Sequence, residues 1–312
     1  MKYNNSKQSN EKSDKVDSYI LDQSKIGVAS NVGSSAMAEA YRLSKRITMD
    51  RLEKEDQENM DILKKLESSD VLVIDGTYDH IHLVLQHIEL PFIQITQDQA
   101  KQIKFRPDQT VFVNCPRAFD SELARQLATF VFEGGQLITT DWALKNVIEV
   151  GFPGLIEYNK RATADDVVRI EVIDTSDEII KGFLDEETDP VWWLEGSSYP
   201  IKILDAKVQI VMRSKELGEK YGEEPVIVKF NHGKGIVYHM ISHFYLQRTE
   251  TRDKKHESTA SEYAKTIGAS KNTVSMMKES IANYGQVQSA NTSAEFISRA
   301  ILNQKKRFRD NK

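Results

Sequence analysis

Between residues 71 and 140, short apolar runs alternate with amphipathic segments, and nothing else in the chain constrains its fold as much. Val71, Leu72, Val73 and Ile74 form an unbroken apolar run ending in Asp75-Gly76, the pattern of a strand covered on both faces. Residues 92–95, 110–113 and 136–139 read as second, third and fourth strands. Residues 80–90 and 142–150 read as helices. So do residues 119–132, where Leu123, Leu127, Phe130 and Val131 share a face, Asp120 offers an N-cap and Gly134-Gly135 a stop. This order predicts right-handed crossovers and an α/β fold with a doubly wound, mostly parallel sheet.

The flanks differ. Residues 1–30 are rich in Asn, Ser, Lys, Asp and Gln, a composition that supplies no core, so a disordered arm is expected. Residues 31–67 predict an exposed helix with a thin apolar stripe, and 68–248 the α/β domain. Within that domain, 167–173, 207–212, 226–230 and 236–241 read as strands, the last two joined by a hairpin turn over 231–235. Residues 249–312 predict a helical C-terminal extension, with helices over about 258–284 and 293–307. Tyr263, Ile267, Val274, Met277, Ile281, Phe296, Ile297, Ile301 and Leu302 form stripes there that need covering.

At 312 residues the chain has room for a sizeable core. It holds no apolar run near the roughly 20 residues that span a bilayer, and its first residues lack the apolar stretch of a secretory signal. A cytoplasmic protein without membrane contact is expected. The single cysteine, Cys115, excludes internal disulfides and multi-cysteine zinc sites. The net charge of −5 is uneven, with 12 basic and 7 acidic residues over 249–312 against 30 and 40 elsewhere.

Parallel sheets bind ligands beyond the carboxyl ends of their strands. There the sequence places Asp75, Thr77 and Tyr78 after the first strand, Asn114 and Arg117 after the third, Thr140, Asp141 and Trp142 after the fourth, and His243 after the last. These nine residues are the candidate ligand-binding crevice, although strand-to-helix turns also favour such residue types. The segments VLVIDGTYDH, TVFVNCPRAFDSELARQLATFVFEGGQLITTDWAL, FPGLIEY and VIVKFNHGKGIVYHMISHFYLQ resemble the class I glutamine amidotransferase-like fold, and its ThuA-like branch in particular. That resemblance implies an α/β domain over about 70–247. Members with glutaminase activity carry a cysteine in a G-x-C-x-G elbow and a late H-x-E. Here Thr139-Thr140-Asp141-Trp142 stands at the elbow, and Phe244-Tyr245 follows His243. No catalytic residue is therefore assigned by the resemblance.

Other constellations are read as structural. Cys115 stands one strand too early for the elbow, and a buried small residue is expected there, although Arg117 offers a means of lowering its pKa. A Thr140 hydroxyl is a nucleophile only if a base activates it, and threonine at such a position more often satisfies a turn. His80 and His82 point apart on a helix, and His239 and His243 share a strand face without a third ligand, so neither metal nor cofactor is expected. Trp192-Trp193 suits core cover under a loop. Residues 261–275 resemble a helix-turn-helix, with Ala264, Gly268 and Val274 at its spacing and Ser270 to Thr273 positioned for a groove, but packing on the domain is the simpler reading.

The favoured expectation is a non-catalytic amidotransferase-like module that binds a protein partner or a small-molecule ligand. The alternatives are a ThuA-like hydrolase or sugar-metabolic enzyme using Asp75, Asp141 and His243, and a DNA-binding regulator. Nucleic acid is not the expected partner.

Overall fold

The computed structural model describes residues 35–183, 191–245 and 254–310. The arm expected over 1–30 lies outside them. The main sheet has eight strands in the order β2-β1-β3-β4-β12-β11-β10-β7. Their ranges are β1 Val71–Ile74, β2 Ile93–Ile95, β3 Thr110–Val113, β4 Gln136–Thr140, β7 Glu171–Val172, β10 Gln209–Arg213, β11 Pro225–His232 and β12 Gly235–Met240. Strands β2, β1, β3, β4 and β12 run parallel, and β11, β10 and β7 follow as an antiparallel edge. The protein is thus a mixed α/β fold on a large, mostly parallel sheet. β1, β3 and β4 are buried along their whole length, which is why β1 reads as a continuous apolar run and β3 nearly so.

The strand expected over 167–173 is broken. β6, Asp166–Arg169, pairs with β8, Val191–Leu194, in a separate ribbon, and only β7 joins the main sheet. Val167 and Val168 pair with Trp193 and Trp192 in the ribbon, whereas Val172 pairs with Met212 in the main sheet, so one stretch of sequence serves two sheets. Trp192 and Trp193 therefore lie on a strand rather than a loop. β5, Ile156–Tyr158, and β9, Ile201–Ile203, form a second ribbon.

Helix α1, Ser35–Glu55, is followed by α2, Gln57–Lys64, with Asp56 capping the break. It is not the exposed helix expected, because Met37, Tyr41, Ile47 and Leu52 are buried. The cover comes from the other end of the chain. Helices α3 to α9 span Ile81–His87, Gln97–Ala100, Ser121–Glu133, Glu149–Gly151, Lys215–Tyr221, Ala260–Thr266 and Lys271–Met276. Residues 144–148 form a π-helical turn leading into α6. Last comes α10, Tyr284–Asp310, which packs along α1 and reaches β3 and α3.

Two C-terminal expectations change. The helix expected over 258–284 is divided at Gly268, whose φ of +72° ends α8 in a left-handed turn. Helix α10 begins well before residue 293, since its polar early turns face inward. Asn291 Oδ1 accepts from Thr48, Ser293 donates to the Phe244 carbonyl, and Gln288 is buried. Phe296 meets Phe244 and Tyr238, with centroids 5.3 and 6.3 Å apart. Burial of each such ring contributes on the order of 1.5 to 3 kcal/mol. Ile281, expected to need covering, stays 62% exposed.

Candidate functional site

The order of the parallel strands reverses at β1, whose neighbours are β2 and β3. The loops after β1 and β3 meet tightly at this switch point. A Cβ on Gly76 would fall 2.4 Å from the Asn114 carbonyl oxygen, and Thr77 N–H donates to the Cys115 carbonyl at 2.8 Å. Beside them, the ends of β4 and β12 present Asp141 and His243.

Cys115, Asp141 and His243 are all buried, and one donor atom from each lies within 4.8 Å of the others. Asp141 Oδ2 is 3.6 Å from His243 Nε2, and Glu195 Oε2 is 2.8 Å from His243 Nδ1. The Glu195 contact is close in distance but out of line with the ring N–H. Neither nitrogen of His243 makes an aligned hydrogen bond among the described residues. Asp141 is held more firmly, accepting from Ser198 Oγ at 2.9 Å and from Tyr199 N–H at 2.8 Å.

Three further devices hold these side chains. Asp79 accepts from the N–H groups of Phe244 and Tyr245, both at 3.2 Å, and so ties the segment after β12 to the loop after β1. Trp192 Nε1–H donates to the Ile241 carbonyl at 2.9 Å, and Glu195 N–H to Ser242 Oγ at 3.2 Å, which brings the end of β8 beside His243. Backbone strain also gathers here. Asp141 (φ +45°), Ser197 (φ +75°) and Ser242 (φ +68°) are non-glycine residues in the left-handed region. Such strain persists only where the surroundings enforce it, and it clusters at functional sites.

Burial sets the ionisation of the cluster. It pushes the Asp141 carboxyl up to about 6, against the pull of His243, Tyr199 and Ser198. It pushes the Cys115 thiol up to about 11, partly offset by His243 and reinforced by the Asp141 charge. Burial opposes a charge on His243, but Cys115, Glu195 and Asp79 together raise it well above its ordinary value.

An aromatic wall adjoins the cluster. Trp142 stacks on Tyr199 at 5.4 Å, Tyr199 on Tyr158 at 3.9 Å, and Tyr78 meets Trp142 edge-on at 5.0 Å. Trp142 Nε1–H donates to the Ser197 carbonyl, so the segment over 195–199 wraps both Asp141 and Trp142.

Of the residues named from sequence, Asp141 and His243 enter the cluster, and Tyr78 and Trp142 form its wall. Thr77 is exposed, its Oγ1 accepting from Arg117 N–H, and Arg117 itself is exposed. Asn114 is buried, with Oδ1 accepting from Ile81 N–H at the start of α3. Asp75 is taken up by Gln94, 2.6 Å away. Thr140 is buried, and its hydroxyl makes no hydrogen bond among the described residues.

Several sequence expectations need correction. Cys115 is buried as expected, but its thiol faces His243 and Asp141, and its pKa is raised, chiefly by burial. His239 and His243 do not share a strand face. β12 ends at Met240, and His239 contacts Thr139 Oγ1 at 2.8 Å instead. His80 and His82 do meet, centroids 5.6 Å apart, because His80 is the N-cap of α3 and stands outside its periodicity. No sequence pattern singles out Glu195 or Ser198. The only local signal for Glu195 was its place directly after the Trp192-Trp193-Leu194 run.

The helix-turn-helix segment is shared between solvent and core. Lys271 and Asn272 are exposed, whereas Thr273 is buried and Ser270 N–H donates to Asp50 Oδ2 at 3.0 Å. No described helix is long and apolar enough to cross a membrane.

No protein-family model matches the chain, and no curated protein does. Among solved structures it is similar to a putative ThuA-like protein from Bacteroides uniformis, at 10% identity and a TM-score of 0.39, over 56% of this chain and 82% of that one. A cytoplasmic protein from Salmonella typhimurium LT2 is similar at 12% identity and a TM-score of 0.40, over 58% and 89%. An exo-β-1,4-mannosidase from Opitutaceae bacterium strain TAV5 is similar at 15% identity and a TM-score of 0.39, over 59% of this chain but only 32% of the mannosidase. Likenesses at this level carry no argument about activity.

Proposed function

We propose that this protein is a hydrolase that cleaves a bond of a small polar substrate with water at the strand-end cluster. The observation that carries the reading is the convergence of Cys115, Asp141 and His243 from three separate strand ends into one buried, strained cluster. Thiol, carboxylate and imidazole in contact are the groups that hydrolytic chemistry draws on, and burial strengthens their electrostatic effect on a substrate. Trp142 and its aromatic neighbours supply the apolar side of a binding site. The fold expected from the amidotransferase-like resemblance, a doubly wound sheet with an altered triad, belongs to this proposal. Glu195 takes the carboxylate role beside the histidine from a different place in the chain.

The test is turnover of a panel of small esters, amides, glycosides and phosphoesters by the wild-type chain, H243A and W142A. H243A is expected to lose at least about 100-fold in kcat/KM, the scale of a lost acid–base or positioning group. W142A is expected to raise KM with a smaller effect on kcat. Turnover that survives H243A would refute the reading.

A second reading has its own support. The near-complete burial of the cluster suits a module that binds a partner or small ligand without turning it over. Thermal stabilisation by a metabolite that no assay sees consumed would favour it.

A further inference from the structure

The strand-end cluster is more specific than a general reactive centre. It combines one thiol, one carboxylate and one imidazole at mutual distances a single ion can span. Bonds of about 2.0 Å to nitrogen and oxygen and about 2.3 Å to sulfur place a nitrogen–oxygen pair of tetrahedral ligands roughly 3.3 Å apart and a pair that includes sulfur roughly 3.5 Å apart. The separation of 3.6 Å between Asp141 Oδ2 and His243 Nε2 is within about 0.3 Å of the nitrogen–oxygen spacing. It is too long for a hydrogen bond between them. Nε2 of this buried histidine has no aligned hydrogen bond among the described residues, and leaving such a group unsatisfied is costly.

We infer that Cys115, Asp141 and His243 form a binding site for a single divalent transition metal ion of the zinc class. The inference deepens the activity proposed above and rests on the same site. A thiolate, a carboxylate and a neutral imidazole carry two negative charges, so a divalent ion neutralises its three ligands. Sulfur ligation disfavours magnesium and calcium, which take oxygen ligands. Three protein ligands are the number found at catalytic zinc sites, which keep a further position for water or substrate.

Glu195 is then a positioning residue. It stands 2.8 Å from Nδ1, the ring nitrogen away from Asp141, where a carboxylate orients a ligating histidine. The hydrogen bonds from Ser198 and Tyr199 to Asp141, and from Glu195 N–H to Ser242, hold the left-handed turns beside the ligands in place before an ion arrives.

The experiment uses the full chain, stripped with chelator and titrated with Co²⁺ alone. Cys115 is the only cysteine, so a thiolate-to-cobalt charge-transfer band has one possible source. Wild type is expected to bind one Co²⁺ per chain with that band, and zinc is expected to displace it. The band should vanish in C115S, and affinity should fall steeply in D141N and H243A. E195Q should keep the band while losing about 10- to 100-fold in affinity. Cobalt binding without the band in wild type, binding indifferent to D141N and H243A, or no binding would each overturn the inference. If C115S does not fold, the wild-type spectrum and the other variants still decide. A chain that binds no Co²⁺ yet turns over a substrate would sink the metal site and leave the proposed activity standing. A bound cobalt with its thiolate band and no turnover of any substrate would do the reverse.

Discussion

The ion cluster between α1 and α10 and the cluster at the strand ends are both buried and ionisable, yet only the first completes its hydrogen bonds. Arg299 donates to both Glu55 oxygens, at 2.8 and 2.6 Å, and to Glu295 at 2.7 and 3.0 Å. Arg51 and Asn291 also reach Glu295, at 3.1 and 3.2 Å. Every charge there faces an opposite charge on a regular helix. At the strand ends a thiol and two carboxylates surround one imidazole, the backbone is strained, and no ring nitrogen is in line with an acceptor. Groups that serve only the fold can be fully paired, whereas groups reserved for a ligand are held apart from one another, and the fold pays for that elsewhere.

The contrast breaks most readily at the helix cluster. R299A leaves Glu295 in a site with no side-chain exposure and removes its principal partner. A loss of about 3–5 kcal/mol is expected from urea unfolding. A loss below about 1 kcal/mol would show that the network does not hold α10 to α1.

A smaller effect comes from pH, at a histidine outside both clusters. His239 has no solvent exposure, and burial lowers its pKa from 6.5 to about 3. The folded protein keeps it neutral while the unfolded chain protonates it. Its contribution is therefore fully present above pH 6.5 and is lost progressively as the pH falls toward 3. Between pH 6.5 and 5 this amounts to roughly 1–2 kcal/mol for one such histidine. His82, lowered to about 4 chiefly by burial, acts in the same direction. Urea midpoints measured across that interval should fall, and the slope should be shallower in H239Q. Equal slopes in the two proteins would exclude His239 as a source.

The smallest expected change, about 1 kcal/mol, has the opposite sign. D141N removes a carboxylate whose charge burial opposes, and asparagine tolerates the left-handed φ of +45°. Stability should be unchanged or higher, while cobalt binding and turnover fall. A loss as large as that of R299A would mean that Asp141 is chiefly a structural acceptor for Ser198 and Tyr199.

Much of the sheet was legible in the sequence because fully buried parallel strands leave unbroken apolar runs, as at Val71 to Ile74 and Thr110 to Val113. The hairpin at Gly233-Lys234 was legible too, since the φ of +58° at Gly233 favours glycine. Within the site, Asp141, Trp142 and His243 could be named because each follows a strand with a clear apolar signal. Asp75, Asn114 and Arg117 occupy equivalent turns, and their sequence gave no sign that local hydrogen bonds or solvent would claim them.

What the sequence determined by itself was local: strand and helix periods and the caps at Asp120 and Gly134. What only the tertiary structure decided was which polar groups meet. Cys115, Asp141, Glu195 and His243 come together through the order of β1, β3, β4 and β12, the docking of Trp192 on Ile241, and the tie from Asp79 to Phe244 and Tyr245. The polar early turns of α10 were likewise hidden, because Gln288, Asn291 and Ser293 are polar in composition and buried by position. Periodicity records a residue's own neighbours along one element. Contacts between strand ends depend on how separate elements pack, and no local pattern encodes that.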